Sequence, residues 1–397
     1  MITKAAIIEN NALNNFEKYI KDYNIVGKRA CVYDKHTFEA TSGKHPICDQ
    51  EILMDQDIFV HANEKATEYL NSVLNKDIEV IIAIGAGTVH DTVRYVANER
   101  KIRFVSCPTA ASVDGFCSTV SAMTWYGYKK TLPGIAPEIV IADIDVIKNA
   151  PKELIKAGVG DILAKYTALF DWKVSHVLTN EYLCERIYNM MKEAVDKVVN
   201  SLPGINDGKD SSFADVTYAL ILSGLAMQLM GNSRPASGAE HHISHFIEVN
   251  PKCLEVKYEA YHGEKTGVGV IYTSSEYHRL LDEIDIIKSS HVYNEIGDFE
   301  IKNAFGDKLE KEIISVNNPC CLTKVRVNKL IEKWEELKII SKELPTSTEL
   351  KNMLLSIGAK TTLNDIGVDE KHKEVIFKYS PLIRNRLTFM RIRQLLV

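Results

Sequence analysis

The sequence predicts an α/β N-terminal domain with a Rossmann-like, mostly parallel sheet, followed by an all-α C-terminal domain. Three observations point there. Short apolar runs recur through residues 1–150, separated by stretches of helical periodicity. A glycine turn, Gly85-Ala86-Gly87, joins one such run to a helical stretch. Beyond Pro151 the β-branched runs become rare and long helical patterns take over. A chain of 397 residues exceeds one typical core. The expected domains are therefore 1–150 and 151–397, with the boundary falling within 148–156.

Arg29–Tyr33 is the first short apolar run and stops at Asp34; Ile78–Ile84 is the second, Phe104–Cys107 the third, and Glu138–Ala142 the fourth. Near-continuous apolar strands suit a sheet covered on both faces. After the glycine turn, Val89, Val93 and Val96 fall on one stripe of a helix. In the second half, 206–212 and Gly231–Gly238 have the composition of surface connections. Thr346 and Glu349 have capping-box spacing ahead of a helix that ends near Gly358. The stretch Leu382–Leu396 alternates apolar residues with Arg384, Arg386, Arg391 and Arg393, and is expected to be a packing helix with a solvated basic face.

Bulk composition narrows the function. The chain is 45% hydrophobic and 25% charged, as in an ordinary folded protein. A net charge of −5 gives no general attraction to nucleic acid or anionic membrane, so a phosphorylated ligand needs a local site. The eight cysteines include no C-x-x-C pair, and Cys320 and Cys321 are adjacent, which favours reduced thiols over a disulfide framework. The N-terminus lacks the apolar core of a signal peptide, and no apolar run approaches the roughly 20 residues that span a bilayer. A soluble, cytoplasmic protein is expected, without membrane insertion or nucleic-acid binding.

The turn Gly85-Ala86-Gly87-Thr88 leaves an apolar strand and opens a helix. Glycine permits a tight turn and close approach of a ligand, and free N–H groups at a helix start attract phosphate. Asp91 is read as lying in the first helical turn. The next connection, Pro108–Ser118, is rich in small and hydroxylated residues. Two such loops at neighbouring strand ends suit a dinucleotide across the sheet edge, although the pattern is not a full G-x-G-x-x-G. Asp34 either accepts hydrogen bonds from the adenosine ribose or simply starts a loop.

A second constellation lies downstream. Asp161 follows Gly158-Val159-Gly160 and is expected near the start of a helix; His241 and His245 share one helical face; His262 opens another helix at a turn. His242 points about 100° away from His241 on an ideal helix. One carboxylate and two imidazoles can hold a divalent metal with a position open, as in a catalytic site. The donors suit zinc, nickel or iron(II). This spacing favours His241 as ligand, with His245 lining the substrate side.

With these residues laid out, the chain resembles the sn-glycerol-1-phosphate dehydrogenases, particularly the bacterial AraM-like branch. That family lies within the superfamily of iron-type alcohol dehydrogenases, glycerol dehydrogenase and dehydroquinate synthase. The matching blocks run over 82–173 and 232–269, and the most specific pieces are Pro108–Gly115, Ala157–Lys165 and Ser237–His245. The resemblance implies a dehydroquinate synthase-like fold and NAD(P)H binding by Gly85, Gly87, Thr88, Val89, His90 and Asp91, with Thr109, Ala110, Ala111, Ser112 and Ser118. It further implies Asp161, His241 and His262 as metal ligands, and Asp114, Asp161 and His245 as substrate contacts. Ala86 departs from the family, which often has a third glycine there.

The implied reaction interconverts dihydroxyacetone phosphate and sn-glycerol 1-phosphate, with the metal as Lewis acid and Asp161, His241, His262 and His245 as the catalytic group. Arg234, Lys165 and Lys265 are candidates for the phosphate. A glycerol dehydrogenase or other polyol dehydrogenase is the alternative, and a nucleotide- and metal-binding regulator a further one. A homodimer is also implied by the resemblance.

Overall fold

Each of the four apolar runs forms a strand of one parallel sheet in the computed structural model, which describes residues 2–54, 61–126, 128–288 and 296–396. The strands are β1 (Ala5–Glu9), β2 (Arg29–Asp34), β3 (Gln50–Met54), β4 (Val80–Gly85), β5 (Arg103–Pro108), β6 (Val120–Trp125), β7 (Tyr128–Pro133) and β8 (Ile139–Asp143). Six of them pair in the order β1-β8-β5-β4-β2-β3, every neighbour parallel. The other two, β6 and β7, form an antiparallel ribbon.

The central strand explains the unbroken apolar runs. Along β4, Val80, Ile82 and Ile84 join the core on one face, while Ile81 and Ala83 join the core on the other. The first core also takes Phe16, Tyr19 and Ile20 of α1 (Phe16–Asp22). The second takes Ala66 and Leu70 of α3 (Glu64–Val73) and the stripe Val89, Val93 and Val96 of α4 (Gly87–Arg100). Complete burial of each β4 isoleucine contributes roughly 1.5–3 kcal/mol before conformational entropy is counted. Two sheet strands escaped the sequence reading. Both β1 and β3 lie at sheet edges and are partly exposed, so neither reads as a continuous apolar run.

From β2 the chain passes through α2 (Lys35–Ala40) to β3 on one side, then returns to β4 on the other. That reversal places Asp34 and Gly85 at the carboxyl ends of adjacent strands flanking a topological switch point, where open α/β sheets bind ligands.

Helices follow: α5 (Ile144–Lys148), α6 (Lys152–Leu163), α7 (Lys165–Thr179), α8 (Glu185–Asn206), α9 (Asp210–Met230), α10 (Ala239–Glu248), α11 (His262–Glu283), α12 (Asp298–Phe305), α13 (Asp307–Val316), α14 (Val327–Ser341), α15 (Ser347–Ser356), α16 (Lys373–Tyr379) and α17 (Phe389–Arg393). Among the described residues beyond Asp143 no strand forms, and Val256 and Val368 make an isolated bridge. The chain belongs to two compact units: Met1–Ile162 with Asp196–Asn232, and Leu163–Val195 with Ser233–Val397. The expected domains, 1–150 and 151–397, are segments of sequence; these units are sets of packed residues, and α9 packs with the sheet.

Helix α9 corrects one expectation. Its 21 residues are long and apolar enough to cross a membrane by length and composition, although Asp215, Ser223 and Gln228 hide the run from the eye. Half of its apolar window is buried in the protein, with Val216, Ala219, Leu220 and Ile221 among the buried side chains. Its polar groups are used locally: Ser223 Oγ donates to Asp114 Oδ2 at 2.8 Å, and Gln228 Nε2 donates to the Cys117 carbonyl at 2.6 Å. The connection read over 206–212 is shorter than expected, since α8 runs to Asn206 and α9 starts at Asp210. Thr346 and Glu349 form the expected capping box on α15, and Gly358 follows its end with φ +67°.

In the second unit, the buried Asp171 carboxylate on α7 ties three other helices to its own. It accepts from the Tyr277 hydroxyl at 2.8 Å, the Phe389 N–H at 2.7 Å and the Ala239 N–H at 2.9 Å. Burial, reinforced by the nearby Glu240 charge, pushes its pKa up to about 7.

Candidate active site

In the first unit the glycine turn is built by close packing. A Cβ on Gly85 would fall 2.5 Å from Val89 Cγ2, so only glycine lets β4 enter α4 at this angle. Ala86 has extended backbone, φ −88° and ψ −166°, open to any residue, so a methyl in place of a third glycine leaves the turn intact. The N–H groups of Gly87, Thr88 and Val89 open α4 and have no intrahelical acceptor. The side chains that follow face inward. Val89 is fully buried, and His90 is locked by its own contacts: Nδ1 to the Ala86 carbonyl at 3.0 Å and Nε2 to Ser106 Oγ at 2.8 Å. Burial lowers the His90 pKa to about 3. Any contact from 87–90 to a phosphate therefore comes from backbone N–H groups or Thr88.

Asp91 is not in the first turn of α4. It is the fifth residue and pairs with Arg94 at 2.8 Å. The Arg94 guanidinium also donates to the carbonyls of Gly115, Phe116 and Val120, clamping the Pro108–Ser118 connection to α4. In that connection Thr109, Ala110, Ala111 and Ser112 are all buried. The Thr109 N–H donates to the Gly85 carbonyl at 3.0 Å, joining the two loops. Ser118 Oγ donates to the Val120 carbonyl at 2.8 Å. Asp34 caps α2: Oδ1 accepts from the Thr37 N–H at 2.8 Å, leaving Oδ2 without a partner among the described residues. The loop-starting role is thus occupied by one oxygen only.

Asp161 departs from expectation. Gly158-Val159-Gly160 is helical, and Asp161 sits in the last turn of α6 instead of its first. Gly158 answers to packing, since a Cβ there would lie 2.1 Å from the Ala111 carbonyl oxygen. The buried Asp161 Oδ2 accepts the Asp114 N–H at 2.9 Å. One unit thus holds both Asp114 and Asp161.

The histidines lie in the second unit. His241 and His245 are one turn apart on α10, and His262 begins α11, capped by Tyr261 and Glu264. Ring centroids are 6.2 Å apart for His241 and His245, 5.3 Å for His241 and His262, and 5.5 Å for His245 and His262. Two glutamates set their tautomers. Glu240 Oε1 lies 2.8 Å from His241 Nδ1. Glu248 reaches His262 Nδ1 at 2.8 Å through Oε1 and His245 Nδ1 at 2.9 Å through Oε2. A carboxylate only accepts, so each Nδ1 carries the hydrogen, which in the neutral ring leaves the lone pair on Nε2. Burial opposes ionisation of Glu248, but Lys265 at 3.1 Å and the two imidazoles outweigh it and hold its pKa well below the ordinary value. Burial likewise opposes the Glu240 charge, and His241, Thr167 and the Gly238 N–H overcome it. His245 is held neutral, its pKa lowered to about 3 by burial with Arg384 adding to the effect. Glu248 was missed in sequence although it stands three residues after His245, as neighbours on one helix face do; its reach to His262 needs the fold, which joins α10 to the start of α11.

His242 is fully buried with neither ring nitrogen paired among the described residues, and burial drives its pKa well down. The phosphate candidates fare differently. Lys265 is held by Glu248, Arg234 donates to Glu181 and the Leu387 carbonyl at 2.8 Å each, and Lys165 is fully buried. The expected solvated basic face is overturned as well. Arg391 is fully buried, Arg384 and Arg386 are half-buried, and Arg393 pairs with Glu276 and Glu374. Only 389–393 of that stretch is α-helical, so Arg391 and Arg393 sit on a short helix while Arg384 and Arg386 follow the irregular segment before it.

The donor types in each unit are those a divalent metal takes: in the second, imidazoles whose Nδ1 atoms face carboxylates, and in the first, a buried carboxylate on α6. The glycine turn and its free N–H groups fit an anionic cofactor.

Residues 7–151 match the family model described as iron-containing alcohol dehydrogenase. Among solved structures, an iron-containing alcohol dehydrogenase from Corynebacterium glutamicum is similar with TM-score 0.64 at 15% identity, covering 97% of this chain and 90% of that one. Maleylacetate reductase from Rhizobium sp. gives TM-score 0.62 at 14% identity, covering 96% and 90%. These establish the shared fold. The glycerol-1-phosphate dehydrogenase, NAD(P)+, of Geobacillus thermodenitrificans is 36% identical over 285 residues, 69% of this chain and 70% of the relative. Its namesake in Geobacillus stearothermophilus is 30% identical over 373 residues, 91% of this chain and 85% of the relative. On that similarity the chain belongs to the family of NAD(P)+-linked glycerol-1-phosphate dehydrogenases.

Proposed function

We propose that the protein reduces dihydroxyacetone phosphate to sn-glycerol 1-phosphate with NAD(P)H, and catalyses the reverse oxidation. The observation that carries this reading is the paired carboxylate–imidazole geometry, in which Glu240 and Glu248 turn the Nε2 atoms of His241 and His262 into oriented metal donors. Asp161 is the third donor in this reading. Zinc, nickel or iron(II) suits the set, and when bound such a cation supplies Lewis acidity at the substrate C2 oxygen. The nicotinamide supplies or accepts the hydride.

The chain's own residues bind and orient. Backbone N–H groups at 87–89 receive the cofactor phosphates, and the Thr109–Ser112 connection and Ser118 lie beside them in this reading. Asp34 Oδ2 is the acceptor for the adenosine ribose; a carboxylate there favours NADH over NADPH. Asp114 orients a substrate hydroxyl. His245, with its Nδ1 hydrogen committed to Glu248 and its Nε2 facing Arg384 Nη2 at 3.3 Å, lines the substrate side in this reading. Eight free cysteines fit a reducing cytoplasm. A homodimer is the assembly this reading carries over, and light scattering checks it.

The test is NADH oxidation with dihydroxyacetone phosphate beside unphosphorylated dihydroxyacetone, after chelation and readdition of Zn2+, Ni2+ or Fe2+. Metal-restored turnover confined to the phosphorylated ketone, with chiral analysis giving the 1-phosphate, is expected. Equal turnover of dihydroxyacetone moves the assignment to a glycerol dehydrogenase. His241→Ala is expected to abolish activity and metal retention together; an active, metal-replete variant removes the ligand assignment.

A further inference from the structure

Two guanidiniums in the second unit converge on a single oxygen. Arg384 donates from Nη1 to Ser233 Oγ at 3.3 Å, and Arg386 donates from Nη2 to the same atom at 2.9 Å. Arg386 Nη1 also donates to the Ser237 carbonyl at 2.7 Å, and Arg384 Nη2 lies 3.3 Å from His245 Nε2. Neither arginine has an ion-pair partner among the described residues. The carboxylates nearest in charge are already engaged: Glu181 by Arg234, Glu240 by His241, and Glu248 by Lys265 and two imidazoles. His242, fully buried with neither ring nitrogen paired among the described residues, feels the charge of the same arginines.

A guanidinium partly withdrawn from bulk water and without a carboxylate is costly to keep, and two side by side more so. Their shared donor fork is the geometry that an oxyanion with several acceptor oxygens satisfies. From this arrangement we infer that Arg384 and Arg386, with Ser233, form the binding site for the phosphoryl group of the substrate. This rests on the dehydrogenase reading and deepens it by naming the residues that make a phosphorylated ketone the preferred substrate. Ser233 Oγ holds the place that a phosphoryl oxygen takes, and Arg384 links that place to His245. The assignment replaces Lys265 and Arg234, whose charges are neutralised by Glu248 and Glu181.

The test compares wild type, Arg386→Gln and Arg386→Lys, all metal-loaded, on dihydroxyacetone phosphate and on dihydroxyacetone. Arg386→Gln is expected to raise KM for the phosphorylated ketone by about 10- to 100-fold, with a smaller effect on kcat. Its preference for the phosphorylated over the free ketone falls by a similar factor. Arg386→Lys recovers part of the loss, because it restores the charge without the fork. A second readout needs no turnover and no variant: phenylglyoxal labelling of the wild-type arginines, mapped by mass spectrometry, with and without inorganic phosphate. Protection of Arg384 or Arg386 supports the site; labelling indifferent to phosphate overturns it. An unchanged KM in Arg386→Gln overturns it too. A wild type silent on dihydroxyacetone phosphate with every metal is a separate outcome, which removes the dehydrogenase reading on which the site rests.

Discussion

Glu248 carries more of the candidate site than any other side chain that is not itself a proposed ligand or substrate contact. One carboxylate receives His262, His245 and Lys265, so it fixes two ring orientations and neutralises a buried ammonium at once. Glu248→Gln keeps the size but presents an amide that serves only one imidazole as acceptor, so the second ring loses its hold. The expected outcome is roughly a 10- to 100-fold loss of metal affinity, read as zinc retained after dialysis against graded chelator. Retention equal to wild type would show that the imidazoles orient themselves. The sequence displayed His241, His245 and His262 through helical spacing and a turn, and it displayed Glu240 inside the same motif. Glu248 was legible only as the residue three after His245; its link to His262 was hidden, because their distance in sequence gives no hint that the end of α10 lies against the start of α11. The arginines of the last segment were visible but misjudged: alternation suggested one exposed helical face, whereas the chain is irregular at Arg384 and Arg386, which are half-buried, and the short helix α17 turns Arg391 inward.

At the scale of elements, continuous apolar runs revealed the four inner strands because burial on both faces leaves no polar alternation. The edge strands β1 and β3 were lost for the converse reason. Asp161 shows where local signals mislead. Glycines at 158 and 160 read as a helix start, yet Gly158 stands inside α6 to let the helix meet the Ala111 carbonyl. Gly158→Ala therefore has no room without moving α6 or the Pro108–Ser118 connection. A stability loss of about 1–3 kcal/mol is expected from overpacking, measured as the urea midpoint; a gain, as helix propensity alone predicts, would refute the close-approach argument. Far from the site, Thr346→Ala removes the capping box of α15. It is expected to cost about 1 kcal/mol in the same measurement, without change in NADH oxidation.

For the whole molecule, strongly acid pH acts on ion pairs at one end of the sheet. Glu138 accepts from Arg103 at 2.5 and 2.9 Å and from Lys4 at 2.6 Å, joining the segments before β1, β5 and β8. Arg103, with Lys4 in support, lowers its pKa to about 2 from the ordinary 4.5. The folded state thus binds this proton less readily than the unfolded one. Its stabilisation is fully present above the unfolded pKa and disappears as pH falls from about 4.5 through 2. Glu138→Gln is expected to flatten the stability–pH curve in that window, by urea unfolding at successive pH values; an unchanged slope would assign acid sensitivity elsewhere.

The return of Asp196–Asn232 to the first unit has a consequence for biosynthesis. A growing chain releases the last sheet strand, β8, well before α9, with all of α5, α6, α7 and α8 between them. Until α9 emerges from the ribosome, Thr3, Cys117 and Asp114 lack the partners that Gln228 and Ser223 give them. The nascent sheet must wait, partly uncovered, for a helix synthesised later. A fragment ending at residue 150 is accordingly expected to aggregate when expressed alone, and chaperone capture during translation should peak before that helix leaves the exit tunnel.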